Sequence, residues 1–386
     1  MKGFFNKEDK ESDCIKCKLY KGCRTPKMKE SGKGEKGILI IAEAPGRTED
    51  EKGTQLVGEA GQVLRDTLNE FDIDLDRDCW KTNATACRPP NNRTPTKREI
   101  KCCNPRMIKT IKEKSPRLII LLGGTSLDSF LTQRLKGASG GINKWRGFVI
   151  PDQIQKAWIA PAFHPSFVLR SRGIKAVGRL FEKDIENALS KLNKEVPVYN
   201  YKIDILDEFR ANNMLQGLLD YPPELLGFDY ETTGLSSYRE GHKIVCCSVC
   251  HDGETAYIFE FTDKLIKWWK QILNSRKIKK TAHNIKFEHQ WSRNILGVET
   301  RRWEWDSMLA SHILDNRKGI TGLKFQAYVN FGREDYSSHL DKYIKYNDGN
   351  NFNRIKDADI REVMRYCGMD NLIQYRLAIK QMRLLR

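Results

Sequence analysis

The stretch ELLGFDYETTGL, residues 224–235, decides how the second half of the chain is read. Its apolar start marks a strand, and Asp229 and Glu231 sit two residues apart within it. On a strand that spacing projects both carboxylates from one face. Two neighbouring acids on a buried strand are costly unless cations neutralise them. Mg²⁺ or Mn²⁺ suits such oxygen donors. Taken alone, the tetrapeptide Asp-Tyr-Glu-Thr reads equally well as a strand end with solvated acids.

Downstream, KIVCCSVC (243–250) and TAYIFEF (255–261) read as two strands separated by a His-Asp-Gly turn, followed by helices to the end. That mixture predicts an α/β domain. Upstream the pattern is more regular. GILIIAEA (37–44), WKTNATAC (80–87), PRLIILLGG (116–124) and AWIAPAF (157–163) read as strands. GQVLRDTLNEF (61–71), the segment 94–114 and GIKAVGRLFEKDIENALSKL (173–192) read as helices between and after them. Such alternation predicts a parallel α/β/α sheet. The pattern restarts near NKEVPVYNYK (193–202), which predicts domains over 1–195 and 196–386.

Two further pairs give the acids of 224–235 a context. TAHNIKFEHQW (281–291) sets Asn284 and Glu288 four apart, and RYCGMDNLIQYRL (365–377) does the same for Tyr366 and Asp370. That spacing puts each pair on one helix face. In this order the three blocks resemble the exonuclease motifs of the DnaQ-like superfamily. The Tyr-x-x-x-Asp form is that of the proofreading domains of family A DNA polymerases, and WDSMLASHIL (305–314) is similar to a further segment of those domains. The resemblance covers 200–386 and implies a ribonuclease H-like mixed sheet that performs two-metal 3′–5′ phosphodiester hydrolysis. It implies that Asp229 bridges both ions, that Glu231 and Asp370 hold the inner one, and that Tyr366 orients the attacking water. One position departs from the family, since Glu288 stands where Asp is usual; slower turnover is expected.

The bulk properties fit an enzyme acting on a polyanion. The 386 residues carry a formal net charge of +17, with 39% hydrophobic and 10% aromatic residues. The length predicts about two to three domains, and the composition excludes a disordered chain. The positive charge favours phosphate contacts. Charge alone does not choose between DNA, RNA and an anionic membrane surface. No run of roughly 18 apolar residues exists for a membrane span, and the N-terminus lacks the apolar core of a secretion signal. A cytoplasmic (intracellular) location is expected.

Eleven cysteines are many for such a protein, where disulfides are rare. Cys14-x-x-Cys17, Cys23, Cys87 and the Cys102–Cys103 pair gather in the first half, which points to a metal centre. Four thiolates suit a [4Fe–4S] cluster or a structural Zn²⁺, and spacing by itself leans to zinc.

The surrounding segments AEAPGRTEDEKGTQLVGEAG (42–61), TNATACRPPNNRTP (82–95) and FHPSFVLR (163–170) resemble family 4 uracil-DNA glycosylases, the iron–sulfur type. The resemblance covers about residues 10–193. It implies that Cys14, Cys17, Cys87 and Cys103 hold a [4Fe–4S] cluster, with Cys23 and Cys102 as bystanders. Such enzymes flip a base into a pocket and break its N-glycosidic bond. By the same resemblance, Asn83 reads the uracil edge with its amide. His164 stabilises charge developing on a uracil oxygen, and Glu43 positions water. Ala44, in the turn Ala44-Pro45-Gly46, lies where backbone amides approach the ligand. Two positions depart: Ala42 replaces a Gly, and Leu56 replaces the Phe expected to stack on the base. Loss of that stack weakens binding by about 1–3 kcal/mol.

Together the halves resemble the N-terminal portion of certain phage DNA polymerases, so a phage-encoded protein in a bacterial host is one expectation. The chain ends just after the third exonuclease motif. It is therefore expected to be a standalone enzyme on DNA, or one piece of a split polymerase working with a separate DNA polymerase chain.

Overall fold

The computed structural model describes residues 13–132, 134–135, 139–344 and 352–385. The chain forms two compact units, one holding residues through Val198 and Tyr328–Glu334, the other Tyr199–Ala327 and Asp335–Arg386.

The first unit contains β1 (Ile38–Ala42), β2 (Cys79–Asn83), β3 (Leu118–Leu122), β4 (Ile150–Asp152) and β5 (Ala157–Ala162). Its helices are α1 (Cys14–Cys17), α2 (Arg47–Lys52), α3 (Glu59–Asn69), α4 (Lys97–Lys114), α5 (Gly123–Leu131), α6 (Ile142–Trp145), α7 (Pro165–Arg170) and α8 (Lys175–Leu189). The sheet order is β2-β1-β3-β5-β4. All neighbours are parallel except β4, an antiparallel edge strand absent from the sequence reading. Every residue of β1, β3 and β5 is buried. Their unbroken apolar runs are what a sheet covered on both faces requires.

The expected strand 80–87 ends at Asn83, beyond which the chain turns into the loop holding Cys87. A capping box sets the start of α4: the Glu99 backbone donates to Thr96 Oγ1, and the Thr96 backbone donates to Glu99 Oε2.

The second unit contains β6 (Lys202–Ile205), β7 (Leu225–Thr232), β8 (Ile244–Cys250), β9 (Thr255–Phe259), β10 (Lys279–Ala282) and β11 (Trp303–Asp306). Its helices are α9 (Glu208–Asp220), α10 (Asp263–Asn274), α11 (Ile285–Leu296), α12 (Ser307–Leu314), α14 (Asp341–Ile344) and α15 (Ile360–Leu385), with α13 spanning Leu323–Phe331. The sheet is mixed, in the order β11-β10-β7-β8-β9-β6. The antiparallel run β7-β8-β9 is flanked by parallel pairs.

Phe228, Tyr230, Trp269 and Trp291 fill the core on one face. On the other, Val363, Cys367 and Leu372 of α15 pack on Cys246 and Ile258. Gly227 makes this close approach possible, because a Cβ there would lie 2.4 Å from Gln374 Nε2 and 3.0 Å from Asn371 Oδ1. The long helix is thereby drawn down onto the strand that bears Asp229.

Candidate functional sites

In the second unit, Asp229 and Glu231 lie on β7, Glu288 on α11, and Tyr366 and Asp370 on α15. The chain thus brings three elements to one acidic centre. Burial raises the carboxyls of Asp229, Glu231 and Glu288 well above the usual range. The charge of Asp370 adds to the effect at Asp229, and that of Asp229 at Glu231 and Glu288. Glu288 is 2% exposed and its Oε2 has no hydrogen-bond partner among the described residues. Burial and Asp370 likewise raise the Tyr366 phenol, which keeps its proton.

Asn284 corrects one expectation. It does not share a helix face with Glu288 but caps α11 from the left-handed region, at φ +80°. Asp306 makes this junction: its carboxylate accepts from the amides of Asn284 and Ile285 and from those of Met308 and Leu309. One side chain therefore anchors the N-termini of both α11 and α12, which places Glu288.

Two neighbours of the acids were not singled out from sequence. Lys324 of α13 forms an ion pair with Asp370, and its ammonium lies 4.2 Å from the centre of the Tyr366 ring. Cys367, fully buried, directs its thiol to the Asp229 main-chain oxygen at 3.4 Å and to its Oδ2 at 3.7 Å. The Tyr-Cys dipeptide and the Lys at 324 were visible, but nothing local tied them to the acids.

In the first unit the parallel register (Ala42 beside Asn83, Leu122 beside Ala162) aligns the strand ends. Glu43 after β1, Asn83 at the end of β2 and His164 after β5 therefore reach the same edge of the sheet. The carboxyl ends of parallel strands are where ligands bind in open α/β sheets.

Asn83 is buried, and its Nδ2 has no partner among the described residues. Its main-chain oxygen is fixed by Arg106 Nη2 at 2.7 Å. Glu43 Oε2 accepts from Thr125 Oγ1 at 2.6 Å. Ala44 is half-buried in the turn that follows.

His164 caps α7: the Ser166 amide donates to its Nδ1 at 3.2 Å. An acceptor Nδ1 leaves the ring proton on Nε2. Burial holds the imidazole down to about 4, so the ring is neutral near pH 7. Gly123, at φ +85°, makes room for it, since a Cβ there would lie 3.1 Å from His164 Cβ. Leu56 is 6% exposed, lies in the left-handed region at φ 55° and packs into the core of the unit.

Cys14, Cys17, Cys87 and Cys103 line one cavity, together with Leu19, Tyr20 and Cys102. Cys102, a bystander by the resemblance, lines the same cavity. The Lys27 amide donates to Cys87 Sγ at 3.2 Å and the Ala86 amide to Cys103 Sγ at 3.3 Å. Amides directed at sulfur tune and stabilise cluster thiolates.

Arg93 grips Glu99 through two nitrogens, holding its carboxyl down to about 2 and fixing the loop between Cys87 and Cys103. No helix among the described residues is long and apolar enough to cross a membrane.

Residues 29–192 match the uracil DNA glycosylase superfamily and residues 203–385 the 3′–5′ exonuclease family. The type-4 uracil-DNA glycosylase of Thermotoga maritima is 36% identical over 182 residues, 47% of this chain and 91% of that protein. That of Saccharolobus solfataricus is 34% identical over 212 residues, 54% of this chain and 96% of that protein. The DNA polymerase of Bacillus phage SP01 is 27% identical over 328 residues, 75% of this chain but 34% of the polymerase. Through its N-terminal half the chain belongs to the type-4 uracil-DNA glycosylases, and its C-terminal half is a 3′–5′ exonuclease domain.

Proposed function

We propose that this is a DNA repair or replication hydrolase that removes nucleotides from 3′ ends and excises uracil. The observation that carries the exonuclease reading is the set of buried Glu231 and Glu288 with the partly buried Asp229, gathered without a matching number of cations among the described residues. Such a centre fits Mg²⁺ or Mn²⁺. Asp229 would bridge two ions, with Glu231 and Asp370 holding the inner one. The ions, when bound, supply charge stabilisation for the attacking and leaving oxygens. Tyr366 keeps its hydroxyl proton and orients water for attack.

For uracil excision, the unpartnered Nδ2 of Asn83 is free to donate to a carbonyl of the base. His164 offers a neutral Nε2–H to the oxygen on which charge develops as the glycosidic bond breaks. Glu43, oriented by Thr125, positions the water. Cys14, Cys17, Cys87 and Cys103 would hold a [4Fe–4S] cluster, which when bound cross-links the N-terminal segment to α4.

The test uses a 5′-labelled, uracil-containing oligonucleotide with and without Mg²⁺. Metal-independent uracil release and Mg²⁺-dependent shortening of the 3′ end are expected. Asp229→Ala removes only the second, and shortening that survives it would place the nuclease site elsewhere.

A second reading keeps the nuclease but has the first unit bind DNA or sense uracil without excising it. Leu56 favours it, because no ring is available there to stack on a flipped base. Absence of uracil release from fully cluster-loaded protein would establish that alternative. The similarity to a third of a phage DNA polymerase also supports a proofreading role beside a separate polymerase chain, for which co-purification is the test.

A further inference from the structure

We infer that the exonuclease centre contains a mixed carboxylate–thiolate site, Asp229–Glu231–Cys367, selective for thiophilic divalent ions of the zinc class. The inference rests on reading the acidic set as a metal site and adds a ligand to it.

Asp370, the acid expected to complete the inner ion's shell, is engaged by Lys324 and by the Tyr336 hydroxyl at 2.5 Å. Cys367 instead stands third beside the two β7 acids, with one potential ligand atom from each of the three residues lying within 4.8 Å of the others. Its backbone is fixed, since its carbonyl accepts from Ser248 Oγ at 3.1 Å. Its sulfur also lies 3.3 Å from that hydroxyl. Glu231 is 7% exposed and Cys367 fully buried, so two of the three ligands are built into the core while Asp229 stays partly exposed.

Oxygen-only sets suit Mg²⁺ and Mn²⁺, whereas one thiolate shifts preference towards softer ions. On binding, the S–H bond breaks, a metal–sulfur bond forms and the proton passes to solvent. Zn²⁺ therefore competes with Mg²⁺ for a site that Mg²⁺ fills through oxygen alone.

The experiment titrates cluster-loaded full-length protein with Co²⁺ as the spectroscopic probe and with Zn²⁺ by calorimetry. Wild type is expected to develop a near-ultraviolet sulfur-to-cobalt charge-transfer band above the constant cluster absorption. Cys367→Ser and Cys367→Ala are each expected to lose it, and their preference for Zn²⁺ over Mg²⁺ to fall at least about tenfold. Melting curves check that the variants fold, and Asp229→Asn in place of the thiol variants must also abolish the band.

No band in wild type, or an equal band and equal zinc affinity in folded Cys367 variants, overturns the inference. If Mg²⁺-dependent shortening of 3′ ends by wild type persists in that case, the carboxylate reading stands alone. If Asp229→Ala fails to stop shortening, that reading has failed as well.

Discussion

Lys324 pairs its ammonium with Asp370 while lying against the faces of Tyr336 and Tyr366, 4.3 and 4.2 Å from the ring centres. It brings positive charge into a centre of buried acids. A cation delivered by the chain offsets part of their mutual repulsion before any ion arrives.

Lys324→Met should therefore destabilise the metal-free protein while freeing Asp370. The expected loss is on the order of 1 kcal/mol, since the lysine is partly solvent-exposed. Mn²⁺ should raise the melting temperature of the variant more than that of wild type. Equal Mn²⁺-induced shifts in calorimetry would show that Lys324 and the ion do not share Asp370.

Glu288→Gln should act in the opposite direction. A carboxyl held above its ordinary pKa contributes stability that is complete below the unfolded value and is lost as pH rises through the folded value. The metal-free protein is accordingly expected to be more stable in mild acid than at higher pH, with the loss setting in above the ordinary carboxylate range. Glutamine removes the contribution of residue 288 to that slope. It should stabilise the metal-free form at neutral pH by about 1–3 kcal/mol and slow 3′-end degradation, as read by melting curves across pH and by nuclease assays.

His164 sets the pH dependence of uracil release. Its pKa is depressed to about 4, so lowering pH through the normal imidazole range near 6.5 leaves it neutral. The contribution of His164 should stay level from pH 8 to about 5.5 and fall only as pH approaches 4. A single-turnover profile with its His-dependent inflection near 6.5 would contradict the buried neutral tautomer.

Leu56→Phe tests the missing ring. Restoring an aromatic face should strengthen uracil binding by about 1–3 kcal/mol, seen as a lower KM for uracil release or tighter binding of uracil-containing oligonucleotide. A loss of melting temperature without tighter binding would show that the core around Leu56 cannot accept the larger side chain.

Cys103→Ala should yield protein without the broad visible absorption of an iron–sulfur cluster, whereas Cys23→Ala should remain brown. Colourless, zinc-loaded wild type would instead assign the cavity to one ion.

Much of this protein was legible in its sequence because the decisive features are local. Asp229-x-Glu231 needs only a strand to present both acids, Tyr366-x-x-x-Asp370 only a helix, and unbroken apolar runs suffice for a covered parallel sheet. The resemblance of the segments around them singled out Cys14, Cys17, Cys87 and Cys103, which line one cavity. Tertiary structure alone brought Lys324 to Asp370, placed the Cys367 thiol beside Asp229 and made Asp306 the clasp of two helices. It also chose the neutral tautomer of His164 and moved Asn284 off the helix. These depend on contacts between distant segments and on burial. Residue spacing encodes neither, because desolvation and charge pairing are set by what the rest of the chain packs around a group.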